Sequence, residues 1–307
     1  MPRLDSLPGR DFRSNDSGRF ELEVSNMAVF RVNFMAEALG RTVPLTVILP
    51  TDKVYFGDMQ RREEGKPYKT LYLLHGIVGD DTDWLYGTRI ARWAAEKDLC
   101  VVMPSGENMF YLDHPDEGNM YGEFIGRELV EFTRKTFPLS RKREDTYIGG
   151  MSMGGYGAIR NGLKYAETFG AIIGLSSALI VDETLLIRNP DPKFPSDRQE
   201  WKQAVFGKDL EAALRTDVNP NVILDQLLKE GREIPAIYLA CGEQDFLIER
   251  NNAFADFLKD RKVPFTYVTG PGAHEWDFWD RYIFRALQWL PLEEGAAGRS
   301  SGNVGLE

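Results

Sequence analysis

The sequence predicts an α/β protein built on a mostly parallel, doubly wound sheet. Short apolar runs alternate along the chain with longer stretches in which apolar residues return at helical spacing. Most of these runs are nearly continuous in Val, Ile, Leu and Ala rather than alternating with polar residues, which is the pattern of strands covered on both faces. A hydrophobic content of 43% over 307 residues supports the sizeable core that such a sheet needs.

In chain order, AVFRVNFM (28–35) and TVPLTVILP (42–50) read as an opening strand pair, followed by the strand KTLYLLHG (69–76). A helix from about Asp83 to Lys97 leads to the strand LCVVMP (99–104). A second helix, MYGEFIGRELVEFTRKTF (120–137), precedes the strand DTYIGGMS (145–152); a third begins at Met153 and is followed by GAIIGLSS (170–177). The strand AIYLACG (236–242), the helix IERNNAFADFLKDRK (248–262), the strand VPFTYVTG (263–270) and the helix EWDFWDRYIFRALQWL (275–290) complete the series. The rhythm breaks between about Ile180 and Pro235, where NPDPKFPSD and short helical pieces around Trp201 and Leu210 predict a small cap insertion over a site. The expected organisation is a flexible leader over 1–26, one domain over 27–293 with its cap at about 180–235, and a flexible tail over 294–307. Met27 is a candidate natural start, and the closing Leu306-Glu307 a candidate cloning remnant.

The net charge of -10, with acids and bases mixed along the chain, leaves no basic stripe for nucleic acid or anionic lipid, so a small-molecule partner is expected. No apolar run reaches the length of a membrane span, and the first residues lack the apolar centre of a signal peptide; a cytoplasmic location is the expectation. Cys100 and Cys241 each fall in a strand-like run and are expected as buried free thiols, with neither carrying a second Cys or His at metal-ligand spacing; no metal is expected. A homo-oligomer is compatible with this composition.

The chemistry concentrates in YIGGMSMGGYG (147–157), where Gly149, Gly150, Gly154, Gly155 and Gly157 surround one serine. Gly150-Met151-Ser152-Met153-Gly154 fits G-x-S-x-G, with a strand entering and a helix leaving, as a nucleophile elbow requires. Small neighbours let strand and helix pack closely while Ser152 points out, and the helix aims its N-H groups and positive dipole end at the hydroxyl. A serine needs a base, and the chain has three histidines. With such an elbow the order along the chain is Ser, acid, His, which selects His274 in GPGAHEW; His75 and His114 precede the serine, His75 reading as part of a turn and His114 as a surface residue. The orienting acid belongs just past a strand between the two, where AIYLACGEQD offers Glu243 and Asp245. Oxyanion donors are expected from the N-H of Met153 and from the loop after the third strand, where Gly76 lets the chain bend so that the N-H of Ile77 faces the site. Asp80, Asp81 and Asp83 cluster nearby and are expected in turn and helix-cap roles rather than on a cation.

LYLLHG followed by a Trp, the FYLD and YGEFIGREL runs, GMSMGGYGAIR, CGEQDFL and GPGAHEWDFWD together resemble the bacterial tributyrin esterase and feruloyl/acetylxylan esterase group, relatives of esterase D. The resemblance spans about Met27 to Leu290. It implies an α/β-hydrolase fold and carboxylic-ester hydrolysis without a cofactor, with the nucleophile at Ser152, the acid at Asp245, the base at His274 and the oxyanion donors at Ile77 and Met153.

The expected function is therefore a serine carboxylesterase acting on short-chain acyl, acetyl or feruloyl esters, including those of plant polysaccharides, through an acyl-enzyme. Activity would then fall below roughly pH 6.5, where a free histidine charges. Trp201, Phe206 and Phe246 are candidates to line an acyl or feruloyl pocket, Trp201 and Phe246 foremost, although aromatic residues in a cap more often serve packing. The same chemistry would serve an S-formylglutathione hydrolase-type thioesterase or a sugar acyltransferase. A non-catalytic carbohydrate-binding module is the remaining alternative.

Overall fold

The computed structural model describes residues 28–53 and 61–293. The segments expected as leader and tail, with Met27, lie outside the described residues. The strands are β1 (Ala28–Ala36), β2 (Arg41–Leu49), β3 (Lys69–Leu74), β4 (Leu99–Pro104), β5 (Asp113–His114), β6 (Asn119–Met120), β7 (Thr146–Met151), β8 (Ala171–Leu175), β9 (Ala236–Gly242) and β10 (Phe265–Gly270). Eight of them form one sheet in the order β1-β2-β4-β3-β7-β8-β9-β10, while β5 and β6 pair as a small separate ribbon. β2 pairs antiparallel with both of its neighbours, β1 and β4; from β4 through β10 every pairing is parallel. This is the mostly parallel sheet that the near-continuous apolar runs predict. The opening pair is also as expected, and β2 joins the sheet beside β4.

The helices are α1 (Asp83–Gly87), α2 (Ile90–Glu96), α3 (Tyr121–Glu123), α4 (Leu129–Thr136), α5 (Met153–Lys164), α6 (Gln199–Phe206), α7 (Leu210–Ala213), α8 (Pro220–Glu230), α9 (Ile248–Asp260) and α10 (Trp276–Trp289). They cover both faces, and the period of two along the strands decides which face each side chain serves. Leu71 and Leu73 of β3 pack with Trp84, Trp93 and the α10 stripe Phe278, Trp279, Tyr282, Ile283 and Ala286. Tyr72 and Leu74 point the other way, into a core shared with Ile159 and Leu163 of α5, Leu224 and Leu227 of α8, and Phe254 and Leu258 of α9. That two-sided core makes the sheet doubly wound and gives the α/β-hydrolase fold.

Two helices differ from their sequence expectation. The helix expected over Asp83 to Lys97 is two helices, broken at Thr88-Arg89. Gly87 lies so close to the Trp276 indole that a Cβ there would come within 2.5 Å of it, and the Thr88 hydroxyl then donates to the Trp84 carbonyl and accepts from the Ile90 N-H. Tertiary packing against α10 thus ends α1. The helix expected over 120–137 is continuous but wound as a π-helix over Phe124–Glu128 between α3 and α4. The stretch from 180 to 235 holds α6, α7 and α8, with Val205, Phe206, Leu210, Ala213 and Leu224 joining the same core as α5. Among the described residues no helix is long and apolar enough to cross a membrane. Cys100 and Cys241 are buried free thiols.

Candidate active site

Four loops converge at the carboxyl ends of the parallel strands, where open α/β sheets place their ligands. β7 ends at Met151 and α5 begins at Met153, so Ser152 alone makes the turn between them, at φ 55° and ψ -119°. A non-glycine residue at such a φ is strained by roughly 1–3 kcal/mol. Three backbone hydrogen bonds hold it there: the Ser152 N-H donates to Leu175 O at 3.0 Å, and its carbonyl accepts from Tyr156 at 3.1 Å and Ala178 at 2.9 Å. The flanking glycines are dictated by proximity. A Cβ on Gly154 would lie 2.3 Å from Leu74 O and 2.5 Å from His75 O, and one on Gly150 would lie 2.4 Å from Gly154 O. Strand, turn and helix are packed backbone on backbone.

β9 and β10 pair in parallel through Gly242 opposite Gly270, so the loops that follow leave the sheet side by side. Gln244 clips them together, its N-H donating to Gly272 O at 3.0 Å and its side-chain oxygen accepting from the Gly272 N-H at 2.8 Å. Asp245 and His274 therefore face each other, with Asp245 Oδ2 and His274 Nδ1 2.9 Å apart. His274 Nε2 in turn lies 3.0 Å from Ser152 Oγ. Asp245 is 2% exposed, and its other oxygen accepts the Leu247 N-H at 2.9 Å. Burial pushes its carboxyl up, but the hydrogen bonds from His274 and Leu247 outweigh it and hold the group below the usual carboxylate range. An ionised carboxylate only accepts, so His274 carries its proton on Nδ1 and turns the Nε2 lone pair to the serine hydroxyl. Glu243, the competing acid, is exposed and away from this chain of hydrogen bonds.

The loop after β3 lies against the elbow: a Cβ on Gly76 would come 2.8 Å from Met151 Sδ and 3.5 Å from Ser152 Cβ. Ile77 follows in this loop, and Met153 opens α5. Neither backbone N-H has a protein acceptor among the described residues. His75 is buried and structural in geometry, its Nδ1 at 2.7 Å from Gly76 O and its Nε2 accepting the Gly106 N-H at 2.8 Å. One backbone partner needs a donor and the other an acceptor, so the ring is neutral; burial accordingly lowers its pKa. His114 sits half-buried in the β5–β6 ribbon.

The aromatic candidates separate. The Phe246 ring is 75% exposed with its centroid 4.7 Å from that of His274, which also meets the Trp279 ring at right angles with centroids 4.9 Å apart. Trp201 and Phe206 instead pack with Phe110, at 5.6 Å and 5.0 Å, in a cluster that includes Tyr156. Their ring contacts lie within that cluster, the packing role more usual for cap aromatics. A hollow of about 400 Å³ lies beside Phe246, bounded by Tyr156, Leu179, Asp182, Asn221, Glu249 and Arg250. Of the acidic cluster, Asp80 takes the expected turn role, accepting from the N-H and hydroxyl of Thr82, whereas buried Asp81 binds Thr46 and Arg31 of the first two strands and no side chain caps the helix that Asp83 opens.

Sequence reasoning missed Gln244, Asn251 and Asn108. Asn251 fixes the loop after β8 through both the N-H and the carbonyl of Ser177, and Asn108 accepts the Val78 N-H at 2.7 Å. Each is a lone amide in a polar or helical stretch, and nothing local distinguishes it from a solvated one.

Known proteins share this architecture. Residues 36–290 match the family model described as "Putative esterase". An acetyl esterase of Caldicellulosiruptor saccharolyticus is 42% identical over 264 residues, which span 86% of this chain and 98% of that protein. Among solved structures, the fluorophosphonate-binding serine hydrolase F of Staphylococcus aureus is 34% identical with a TM-score of 0.72, covering 86% of this chain and 98% of the other. An S-formylglutathione hydrolase of Staphylococcus aureus gives 34% identity and a TM-score of 0.72 over 86% and 99% of the two chains. Family match, length and fold agree: the chain belongs to this esterase family and is a carboxylic ester hydrolase.

Proposed function

We propose that the chain is a serine esterase for acetyl and other short-chain acyl esters, with Ser152 as nucleophile, His274 as general base and acid, Asp245 as the orienting carboxylate, and the Ile77 and Met153 N-H groups as oxyanion donors. The observation that carries this reading is the hydrogen-bonded series Asp245–His274–Ser152, ending on a serine strained at the head of a helix. Ser152 Oγ bonds to the carbonyl carbon of the ester as its proton passes to His274 Nε2. The carbonyl oxygen becomes an oxyanion at the two free N-H groups. The bond to the alcohol then breaks and the alcohol leaves with the proton held by Nε2, giving acyl-Ser152. Water, deprotonated by the same nitrogen, attacks the acyl carbon; the acid departs and Ser152 recovers its proton.

The leaving group takes its proton from His274, so it lies on the His274 side of the serine. Phe246 and the hollow beside it are on that side, and their mixture of aromatic, amide and charged groups suits a polar alcohol or thiol portion. The relative named as an acetyl esterase supports a short acyl group, and the one named as an S-formylglutathione hydrolase supports a second reading, in which the substrate is a formyl thioester. A small-molecule ester or thioester is the proposed partner in both, with no cofactor required.

The test compares kcat/KM for p-nitrophenyl acetate, p-nitrophenyl butyrate, methyl ferulate and S-formylglutathione in the wild type and Ser152→Ala. The first reading expects acetate to be fastest and every activity to vanish in the variant. A preference for S-formylglutathione of more than about tenfold selects the thioesterase, and a preference for methyl ferulate contradicts both.

A further inference from the structure

The turn that carries Ile77 holds a residue where its type is unfavourable. The Gly79 N-H donates to Gly76 O at 3.3 Å, closing a four-residue turn in which Val78 stands third, at φ 62°. That position in such a turn asks for glycine, and for a β-branched residue the left-handed region is a true outlier. Packing does not explain it, because the Val78 side chain is 89% exposed. What holds the residue is its own N-H, bound at 2.7 Å by the side-chain oxygen of Asn108 from the loop after β4.

That facing loop is a firm anchor. Its Gly106 N-H donates to the buried His75 ring, and its Tyr111 hydroxyl donates to His75 O at 3.0 Å. The turn 76–79 is therefore pinned to loop 105–111 on both sides of Ile77, by the bonds of Gly106 and Tyr111 to His75 before it and by Asn108 after it. Without the bond from Asn108, Val78 is free to leave the left-handed region for the conformations valine prefers. The torsions on either side of the Ile77–Val78 peptide then change together, and the Ile77 N-H moves with them.

We infer that Asn108 is a positioning residue of the esterase reaction: by holding Val78 left-handed it aims the Ile77 N-H at the oxyanion. The inference rests on the proposed role of Ile77 as an oxyanion donor. Asn108 touches neither substrate nor Ser152 in this role. It stabilises the transition state through backbone geometry, so its loss falls on kcat more than on KM.

The experiment is a double-mutant cycle on p-nitrophenyl acetate hydrolysis with Asn108→Ala, Val78→Gly and the double variant, each checked by thermal melting. The loss of one positioned hydrogen bond predicts a fall in kcat of about tenfold for Asn108→Ala, with KM within about twofold and an unchanged melting temperature. In the Val78→Gly background glycine enters the left-handed region without being held, so the further effect of Asn108→Ala shrinks to within about twofold. The inference is overturned by a kcat within about twofold of wild type in Asn108→Ala, by a loss confined to KM, or by the full loss persisting in the glycine background. The reading beneath it is tested separately by Ser152→Ala: activity retained there removes the serine mechanism itself, whereas activity lost there with Asn108→Ala unaffected removes only the role of Asn108.

Discussion

Replacing Gly154 by alanine sets two effects of opposite sign against each other. Gly154 lies in the first turn of α5, where glycine to alanine gains up to about 1 kcal/mol of helix propensity. The new Cβ, however, would sit 2.3 Å from Leu74 O, 2.5 Å from His75 O and 2.6 Å from Leu74 C, all backbone atoms that no rotamer change can move. Carbon atoms pack at about 3.5–4.0 Å, so the end of β3 or the elbow must retreat by roughly 1 Å. Overpacking of this kind costs about 1–3 kcal/mol, toward the upper end where backbone meets backbone, and the clash outweighs the propensity. The net loss of about 2 kcal/mol lowers the melting temperature by about 5 °C. Activity suffers more, because the two segments forced apart carry Ser152, the proposed nucleophile, and the loop of Ile77, and a misplacement of about 1 Å costs on the order of 10²-fold in rate. Thermal melting and kcat/KM on p-nitrophenyl acetate read the two effects independently. A melting temperature equal to or above wild type, with kcat/KM within about threefold, would mean that helix propensity wins and that the backbone contacts at the elbow do not constrain the site.

Asp245→Asn removes the charge that fixes the His274 tautomer and is expected to lower kcat by roughly 10³–10⁴-fold with little change in melting temperature; a loss under about tenfold in steady-state kinetics would contradict the orienting role. Burial holds the His75 imidazole below its ordinary value, so the unfolded chain takes up that proton first as pH drops below roughly 6.5, and stability declines from pH 7 toward pH 5. His75→Gln should flatten that decline in melting scans, and an equal slope in wild type and variant would speak against it. Arg160 is 1% exposed and bound to Asp217 at 2.7 Å and to Asp113 at 3.7 Å; Arg160→Met leaves Lys164 as the cation that still meets both carboxylates. Removing one partner of a buried pair costs about 3–5 kcal/mol, reduced here to about 2–3 kcal/mol because Asp217 is half exposed, and unchanged urea unfolding would refute the estimate.

The sheet was legible because its inner strands are buried on both faces and must be nearly continuous in apolar residues, as LYLL of β3, LCVVMP and AIIGL are. The residues Ser152, Asp245 and His274 were legible for a different reason: each follows a strand at its carboxyl end, and parallel strands bring those ends together whatever the helices between them do. Pairing between distant segments left no comparable trace. The neighbourhood of β2 and β4 depends on contacts across fifty residues of chain, and the break after Gly87 depends on Trp276 of the last helix. Arg160 lies among buried residues of α5 and is explained only by Asp113 and Asp217, which other elements deliver. Trp201 shows the limit for aromatics: its residue type admits a binding wall as well as packing, the more usual role, and the ring sits in the packed cluster.

The central claim is that the Ser152 hydroxyl, activated by His274, takes the acyl group. Trapping it with a fluorophosphonate and mapping the adduct by peptide mass spectrometry tests this directly. A single stoichiometric label on the peptide containing Ser152, absent in Ser152→Ala and formed orders of magnitude more slowly in His274→Gln, is the predicted result. A label on any other residue, or an unmodified Ser152 in enzyme whose ester hydrolysis has been abolished by the reagent, would contradict it.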